Sequence, residues 1–449
     1  MDTIMDLMEK IVSLCKRRGF VYPGSEIYGG LSNSWDYGPL GIELKNNFKQ
    51  LWWKTFVHRR DDVLGLDAAI IMNPKVWEAS GHVAGFSDPL RECQLCHTRL
   101  RPDIIEEQKS EPGEQLVCLK AQDKEHNWGE VKQFNMMLKT HLGSMEDSST
   151  IAYLRPETAQ GMFVDFKNIF SSFPRKLPIG IAQIGKAFRN EITTGNFLFR
   201  LRELEQMEIE YFISPPKNDS EWQKYFEHWR REMWRWFESV GIDKNKVHEH
   251  EIADGERAHY SKRTIDFEFD YPFGTKELYG LAYRTDYDLK NHQKYSGQDL
   301  SYRDAETGQS FIPHVIEPTW GVDRTFLAIL LSSYDDKDPK RVVLKLKPNL
   351  APYKVAVFPL VANKEEIVNK AKSVYEKLKA SLVAVFDARG NIGKRYYAQD
   401  EIGTPWCVTV DYDTLKDDTV TVRDRDTAKQ ERIKIDSLLT YFNQKLDII

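Results

Sequence analysis

The chain has 449 residues, of which 41% are hydrophobic, 12% aromatic and 29% charged with both signs present; this is the make-up of a folded protein of two or three domains and excludes whole-chain disorder. Lys and Arg number 63 against 68 Asp and Glu, and the net charge of −5 excludes a polycation that holds nucleic acid by bulk charge, so any such contact has to be a local patch. No apolar run approaches the ~20 residues of a spanning helix, Asp2, Asp6 and Glu9 stand where a signal peptide is basic, and five cysteines make no paired framework; the expectation is a cytoplasmic protein with no membrane partner.

Ile4, Leu7, Met8, Ile11, Leu14 and Cys15 recur at helical spacing, which predicts an amphipathic helix ending near Gly19. A second helix is expected after Pro39, where Leu40, Leu44, Phe48, Leu51, Trp52 and Phe56 keep the 3.6 period. Residues 87–150 lose that period and carry turn-rich stretches such as Glu111-Pro-Gly-Glu, so they read as an inserted subdomain. Ser220 and Gln223 read as a capping box opening a helix with Trp222, Phe226, Trp229, Met233, Trp236 and Phe237, stopped at Gly241. Ile265, Phe267, Phe269 and Tyr271 alternate with acids, as in an antiparallel strand with one wet face. After Ser332 the charged stretch to Asn349 reads as a crossing, and from Val355 strands and helices alternate as in βαβ units. The predicted fold is therefore α+β, an antiparallel sheet with helices over 1–347, followed by an α/β domain over 348–449.

Charge concentrates in Gly185-Lys-Ala-Phe188-Arg189-Asn190-Glu191, a Thr-Thr-Gly-Asn turn, and Phe199-Arg200-Leu-Arg202-Glu203-Leu-Glu205-Gln206-Met-Glu208; Gly321-Val-Asp323-Arg324 opens an apolar helix further on. Alone, the first is a charged strand-turn-strand and the second a weak signal. In this order they resemble motifs 2 and 3 of the class II aminoacyl-tRNA synthetases, and the helix after Pro39 through a strand ending at Pro74 is similar to motif 1. Tyr37-Gly-Pro-Leu-Gly41, Leu154-Arg155-Pro-Glu157-Thr-Ala-Gln-Gly161, Glu277-Leu278, Arg284-Thr-Asp-Tyr-Asp-Leu and Val315-Ile-Glu317-Pro-Thr319 narrow the likeness to the dimeric glycyl-tRNA synthetases, from residue 1 to about 445.

The resemblance implies ATP-dependent ligation of glycine to tRNA(Gly) through glycyl-adenylate, by a homodimer with an anticodon-binding domain. Two anions meet at the α-phosphate, so preorganised cations are the main requirement, and the planar fork of arginine meets it. Arg189 is implied to bridge the α-phosphate and the glycine carboxylate, Arg324 to hold the γ-phosphate, and Glu191 to act beside them. The implied ATP contacts are Arg189, Asn190, Glu191, Phe199 stacked on adenine, Arg200, Leu201, Arg202, Glu203, Leu204, Glu277, Leu278, Gly321, Val322, Asp323 and Arg324. The implied glycine contacts are Arg101, Glu157, Glu203, Leu204, Glu205, Gln206, Met207, Glu208, Glu317, Pro318, Thr319, Trp320 and Gly321, with Glu203 and Glu317 accepting the α-ammonium. Mg2+ would arrive with ATP, with Glu277 as its ligand. In the second domain Arg395, Tyr396, Tyr397 and Trp406 are of the types that stack on loop bases, and equally of types that fill a core.

Cys93-Gln-Leu-Cys96 has half the spacing of a zinc site, yet no second Cys-x-x-Cys follows and Cys118 and His126 are irregularly spaced, so two reduced thiols are expected and zinc is not. Thr319, Trp320 and Tyr283 depart from the residues usual in the family and leave the shape of the pocket open. Glu157, Glu203 and Glu317 argue against a synthetase for serine, threonine, proline or histidine, and Arg189 with Arg324 argues against a binding protein without catalysis.

Overall fold

The computed structural model describes residues 4–107, 117–118, 124–192, 196–258 and 260–446. The Glu111-Pro-Gly-Glu turn, most of the Thr-Thr-Gly-Asn turn and the side chain of Ile4 lie outside them. Helix α1 (Ile4–Arg18) buries Ile11, Leu14 and Cys15, and α2 (Pro39–Trp53) buries Leu40, Leu44, Phe48 and Trp52. One wider turn at Lys54–His58 carries the stripe on to Phe56. The strand expected to end at Pro74 is only β1 (Val63–Gly65), because it has a partner for just three residues; Pro74 instead caps a helix over Lys75–Ala79. In the insert, β2 (Ser87–Glu92) pairs with β3 (Arg99–Leu100) and β4 (Lys132–Asn135).

After the short helix α3 (Ala159–Val164) come β5 (Ile179–Phe188) and β6 (Glu203–Ile213), then α4 (Asp219–Val240). Helix α4 begins on Asn218 rather than at a Ser220/Gln223 box: the Glu221 carboxylate accepts from the Lys217 N–H at 2.8 Å and Ser220 Oγ donates to Asn218. Strands β7 (Val247–Glu251), β8 (Arg263–Tyr271) and β9 (Gly274–Thr285) lead to α5 (Tyr287–Ser296), β10 (His314–Gly321) and α6 (Val322–Ser333). The sheet order is β7-β8-β9-β10-β6-β5-β1, antiparallel throughout except for the β5/β1 pair. Aromatic side chains of α2, the wider turn after it and α4 cover one face: Phe56 and Trp52 lie 5.0 and 5.4 Å from Trp320, and Trp229 lies 5.3 Å from Tyr211. On the other face α3 and α5 cover only one end, through Met162, Phe163 and Leu289 against Ile181 and Phe212. The rest of that face is free to form a cleft.

The second sheet contains β11 (Val355–Pro359), β12 (Ala384–Phe386), β13 (Trp406–Val410), β14 (Thr419–Asp424) and β15 (Gln430–Lys434) in the order β12-β11-β13-β14-β15. The first three are parallel, joined through α7 (Glu365–Lys379) and α8 (Ile392–Ile402), and the last two add an antiparallel edge. Val355, Val357, Val408, Val410 and Val420 pack with Ile367 and Val374 of α7 and with Leu438 and Phe442 of α9 (Leu438–Lys445). Of the four side chains considered for base stacking, Trp406 is in this core, Arg395 is buried and donates to the Pro359 carbonyl at 2.6 Å, and Tyr396 bonds Thr409; Tyr397 alone of the four is well exposed.

Candidate active site

The cleft on the open sheet face is built by the β5–β6 hairpin, β9 and the first turn of α6. Arg324 sits in that turn, where its Nη1 donates to Glu277 Oε2 at 3.0 Å and to the Glu277 carbonyl at 2.8 Å, while its plane lies 4.4 Å over the Phe199 ring. Across the cleft Arg189 Nε donates to the Pro156 carbonyl at 3.1 Å, with Phe86 under its guanidinium. Its backbone N–H bonds the Arg202 carbonyl at 2.8 Å, which fixes the hairpin. Glu191 and Arg200 complete this end at 3.8 Å; burial pushes the Glu191 carboxyl up, against the pull of Arg200 and Arg189. Phe199 is held edge-on by Tyr271 and Phe273, and Leu201, Leu204, Leu278 and Gly321 complete the walls.

Behind Thr319, which lines the cleft, lies a buried acidic group. Glu208 accepts from Thr319 Oγ1 at 2.9 Å and from Thr158 Oγ1, and it gathers with Glu210 and Glu317. Arg284, 1% exposed, answers that charge: it is bidentate on Asp288 at 2.9 Å and donates to Glu317 Oε1 at 2.6 Å. Glu157 accepts from Gln160 at 2.9 Å and faces His82 at 3.2 Å. Burial raises the pKa of all four acids, but at Glu157 His82 and then Arg284 outweigh it and hold the carboxyl well below the usual range. At Glu208 burial and the Glu157 charge win, and at Glu210 burial and the Glu317 charge, so both are pushed up. Neither oxygen of Glu210 has a hydrogen-bond partner among the described residues. A cationic group of a ligand fits this acidic group.

Strand alternation sorts the expected glycine contacts. Glu208 and Thr319 are register partners on the cleft face, as are Gln206 and Gly321; Met207 and Trp320, also partners, point into the aromatic core. Glu203, expected on the ammonium, lies an odd number of residues from Glu208; it is largely exposed and paired with Lys186 at 2.7 Å, apart from the buried group of Glu208, Glu210 and Glu317. Glu205 turns to Lys45 at 2.7 Å and to Lys49. Asp323 accepts from the Glu205 N–H at 2.9 Å and from the Tyr37 hydroxyl, and Arg202 donates to the Ser32 carbonyl at 3.0 Å, so both brace the cleft. Val322 and Pro318 are buried. Tyr283 stacks on Trp222 at 4.5 Å and bonds His314, which removes it from the pocket.

Asp266, not singled out by the sequence, is pushed up to about 7 by burial and by the neighbouring Glu277 carboxylate, an acidic pairing that a divalent ion would relieve; Glu277 itself is held low by Arg324, which outweighs burial. In the insert, Arg101 pairs with Asp88 at 3.2 Å and adds its charge to the field at Glu191. At Cys93 and Cys96, expected as two reduced thiols, the fold also brings in Cys118 and His126.

Residues 144–334 match the tRNA synthetase class II core domain (G, H, P, S and T), and residues 354–445 match the anticodon binding domain. Glycine-tRNA ligases of Alkaliphilus oremlandii and Clostridium tetani are each 49% identical to the chain, covering 98% and 99% of it and 98% and 100% of their own lengths. That of Caldanaerobacter subterraneus subsp. tengcongensis is 49% identical over 98% of both. With such identity over nearly the full length, the chain belongs to the glycine-tRNA ligase family of class II tRNA synthetases.

Proposed function

We propose that the chain activates glycine with ATP as glycyl-adenylate and transfers it to tRNA(Gly). The observation that carries this reading is the polarity of the site: Arg189 and Arg324 in the cleft and Glu157, Glu208 and Glu317 buried behind Thr319, which suits a triphosphate meeting a small zwitterion. The glycine ammonium is placed against Glu208 and Glu317, leaving its carboxylate to face Arg189 at the α-phosphate. Arg189 offsets the repulsion between the two anions and the charge that grows on phosphorus; Arg324 holds the far phosphates, and Phe199 faces the adenine. No general base is required, since the carboxylate of glycine is ionised near pH 7. Glu277 and Asp266 would hold a Mg2+ that shields the phosphates.

Charge-assisted hydrogen bonds of roughly 1.5–3 kcal/mol each hold the ammonium but cannot reject alanine, so rejection is steric. ATP-pyrophosphate exchange with each of the twenty amino acids tests the reading: exchange with glycine alone is expected, and no exchange with glycine overturns it.

Three further parts belong to this reading. The division at residue 347/348 is supported by a second core that opens at Val355, with Leu350 and Ile402 still packed in the larger one. A two-fold homodimer is supported by the motif 1 helix α2 and the wider turn after it, where Lys49, Trp53 and His58 border an open groove; sedimentation showing only a single-chain species would overturn it. A cytoplasmic location is supported by five cysteines that form no disulfide.

A further inference from the structure

We propose that Cys93, Cys96, Cys118 and His126 form a structural zinc site in the insert, a closed three-thiolate, one-imidazole set independent of the ATP and glycine cleft. The four ligand atoms lie within 4.8 Å of one another. With zinc–sulfur bonds of about 2.3 Å and zinc–nitrogen bonds of about 2.1 Å, a tetrahedral edge between the two is about 3.6 Å; Cys96 Sγ and His126 Nδ1 are 3.7 Å apart.

The backbone builds the site from two turns. The Cys93 N–H donates to the Thr98 carbonyl at 2.8 Å and the His97 N–H to the Cys93 carbonyl at 2.9 Å, closing a loop in which His97 takes a left-handed φ of 56°. The second turn is a two-residue pairing of Val117–Cys118 with Lys124–Glu125, which ends beside His126. Cys93 also bridges Trp128, the Gln94 N–H bonds the Asn127 carbonyl at 2.8 Å, and the His126 ring stacks on Trp128 at 4.7 Å, so the imidazole is oriented by its neighbour. The spacing concealed this, because the second half of the site is a Cys and a His brought together by a hairpin.

Three soft thiolates with an imidazole select zinc over the hard cations that ATP brings. Four protein ligands leave no open position, which makes the site structural. The insert needs such a link: Leu90, Cys93, Ile105 and Cys118 are buried yet belong to none of the protein's hydrophobic clusters, so among the described residues little apolar packing holds the two turns together. Arg101 follows five residues after Cys96, so a link at Cys96 also limits how far that cation can stray from Glu191.

The test uses the untagged full-length chain, purified without chelator, with metal content read by mass spectrometry. One equivalent of zinc per chain is expected, released on thiol modification by a mercurial, and reduced about tenfold or more in Cys118→Ser. Cobalt-substituted wild type, which needs no variant, should show thiolate-to-cobalt charge transfer and d–d bands of tetrahedral intensity. A zinc-free chain that gives no such cobalt spectrum, zinc fully retained in Cys118→Ser, or a Cys93–Cys96 disulfide in freshly purified protein would each overturn the proposal.

Discussion

Two hydroxyls, from Thr158 and Thr319, converge on the buried Glu208 carboxylate and fix where its negative charge stands. Loss of one charge-assisted bond worth roughly 1.5–3 kcal/mol corresponds to about 10- to 150-fold; Glu208→Gln is therefore expected to raise the glycine KM by that range in pyrophosphate exchange, with the ATP KM nearly unchanged. Glu203→Gln, at an exposed site paired with Lys186, should leave the glycine KM within about twofold. Equal effects of the two would contradict the placement. At Thr319→Gly the wall beside the ammonium recedes, and alanine exchange should rise relative to glycine by about 10-fold, the scale of one methyl in a packed site. The titration of Asp266 gives a pH test. Its folded pKa of about 7 lies above the unfolded value near 3.9, so between those two pH values the folded chain holds the extra proton, and this carboxyl makes stability fall as pH rises through the window. Asp266→Asn should therefore raise Tm over wild type near pH 8 without nucleotide, give no gain near pH 4, and raise the Mg2+ concentration needed for exchange. The residue types at this site are legible in the sequence, and their partition between two faces becomes so once the bounds of β6 are known: an odd separation along β6 is enough to part Glu203 from Glu208, and an even one joins Glu208 to Glu210.

Helix α2 shows how an element carries a family motif for a packing reason. A Cβ on Gly41 would stand 1.9 Å from the Phe20 carbonyl oxygen, and the N–H of Gly38 bonds that same oxygen at 2.9 Å, so the first turn of α2 seats on the backbone at residue 20. Gly→Ala inside a helix ordinarily gains up to about 1 kcal/mol; here the contact is with backbone that cannot swing aside, and overpacking costs about 1–3 kcal/mol. The clash wins, and Gly41→Ala is expected to lower Tm by several degrees in thermal unfolding, with an increase in Tm as the contrary result. Long elements with a strong period were readable for the same reason that they are stable: α2, α4 and β8 each bury one continuous face. The unread elements lack such a face. Strand β15 is Gln-Glu-Arg-Ile-Lys on an exposed edge, and β1 has three paired residues; β14 does alternate, burying Val420 and Val422 between polar neighbours, but it follows a parallel pattern that suggests no antiparallel edge. The sequence pattern sets the start of α4 two residues late because Asn218 and Ser220 are both capping types, and only the Glu221 bond to the Lys217 N–H separates them.

At the scale of the whole molecule, the two sheets are joined by buried charge rather than by a flexible tether. Asp400, fully buried on α8, receives Arg341 at 2.7 Å from one side and Arg423 at 2.9 and 3.1 Å from the other. The buried Arg425 donates to the Leu346 carbonyl at 2.8 Å and the Gly403 carbonyl at 2.7 Å, and Glu401 pairs with Arg17 and Arg18 of α1. Cutting the chain near Leu350 would also bare Leu344, Leu346 and Leu350, all in the larger core, so truncation tests the integrity of the catalytic half as much as the role of the second domain. A point change at the junction separates these. Removing one partner of a buried ion network costs about 3–5 kcal/mol because the remaining charges stay buried and unpaired, and in Asp400→Asn those charges are Arg341 and Arg423, at the junction and remote from Arg189 and Arg324. The expected outcome is a lower Tm and a fall in kcat/KM for tRNA charging, with glycine-dependent pyrophosphate exchange per folded chain unchanged, since the second domain then sits less firmly where it presents tRNA to an intact cleft. Equal loss of exchange and charging in protein shown to be folded by circular dichroism would mean that the junction supports the catalytic cleft itself, and that the division of labour between the two sheets is incorrect.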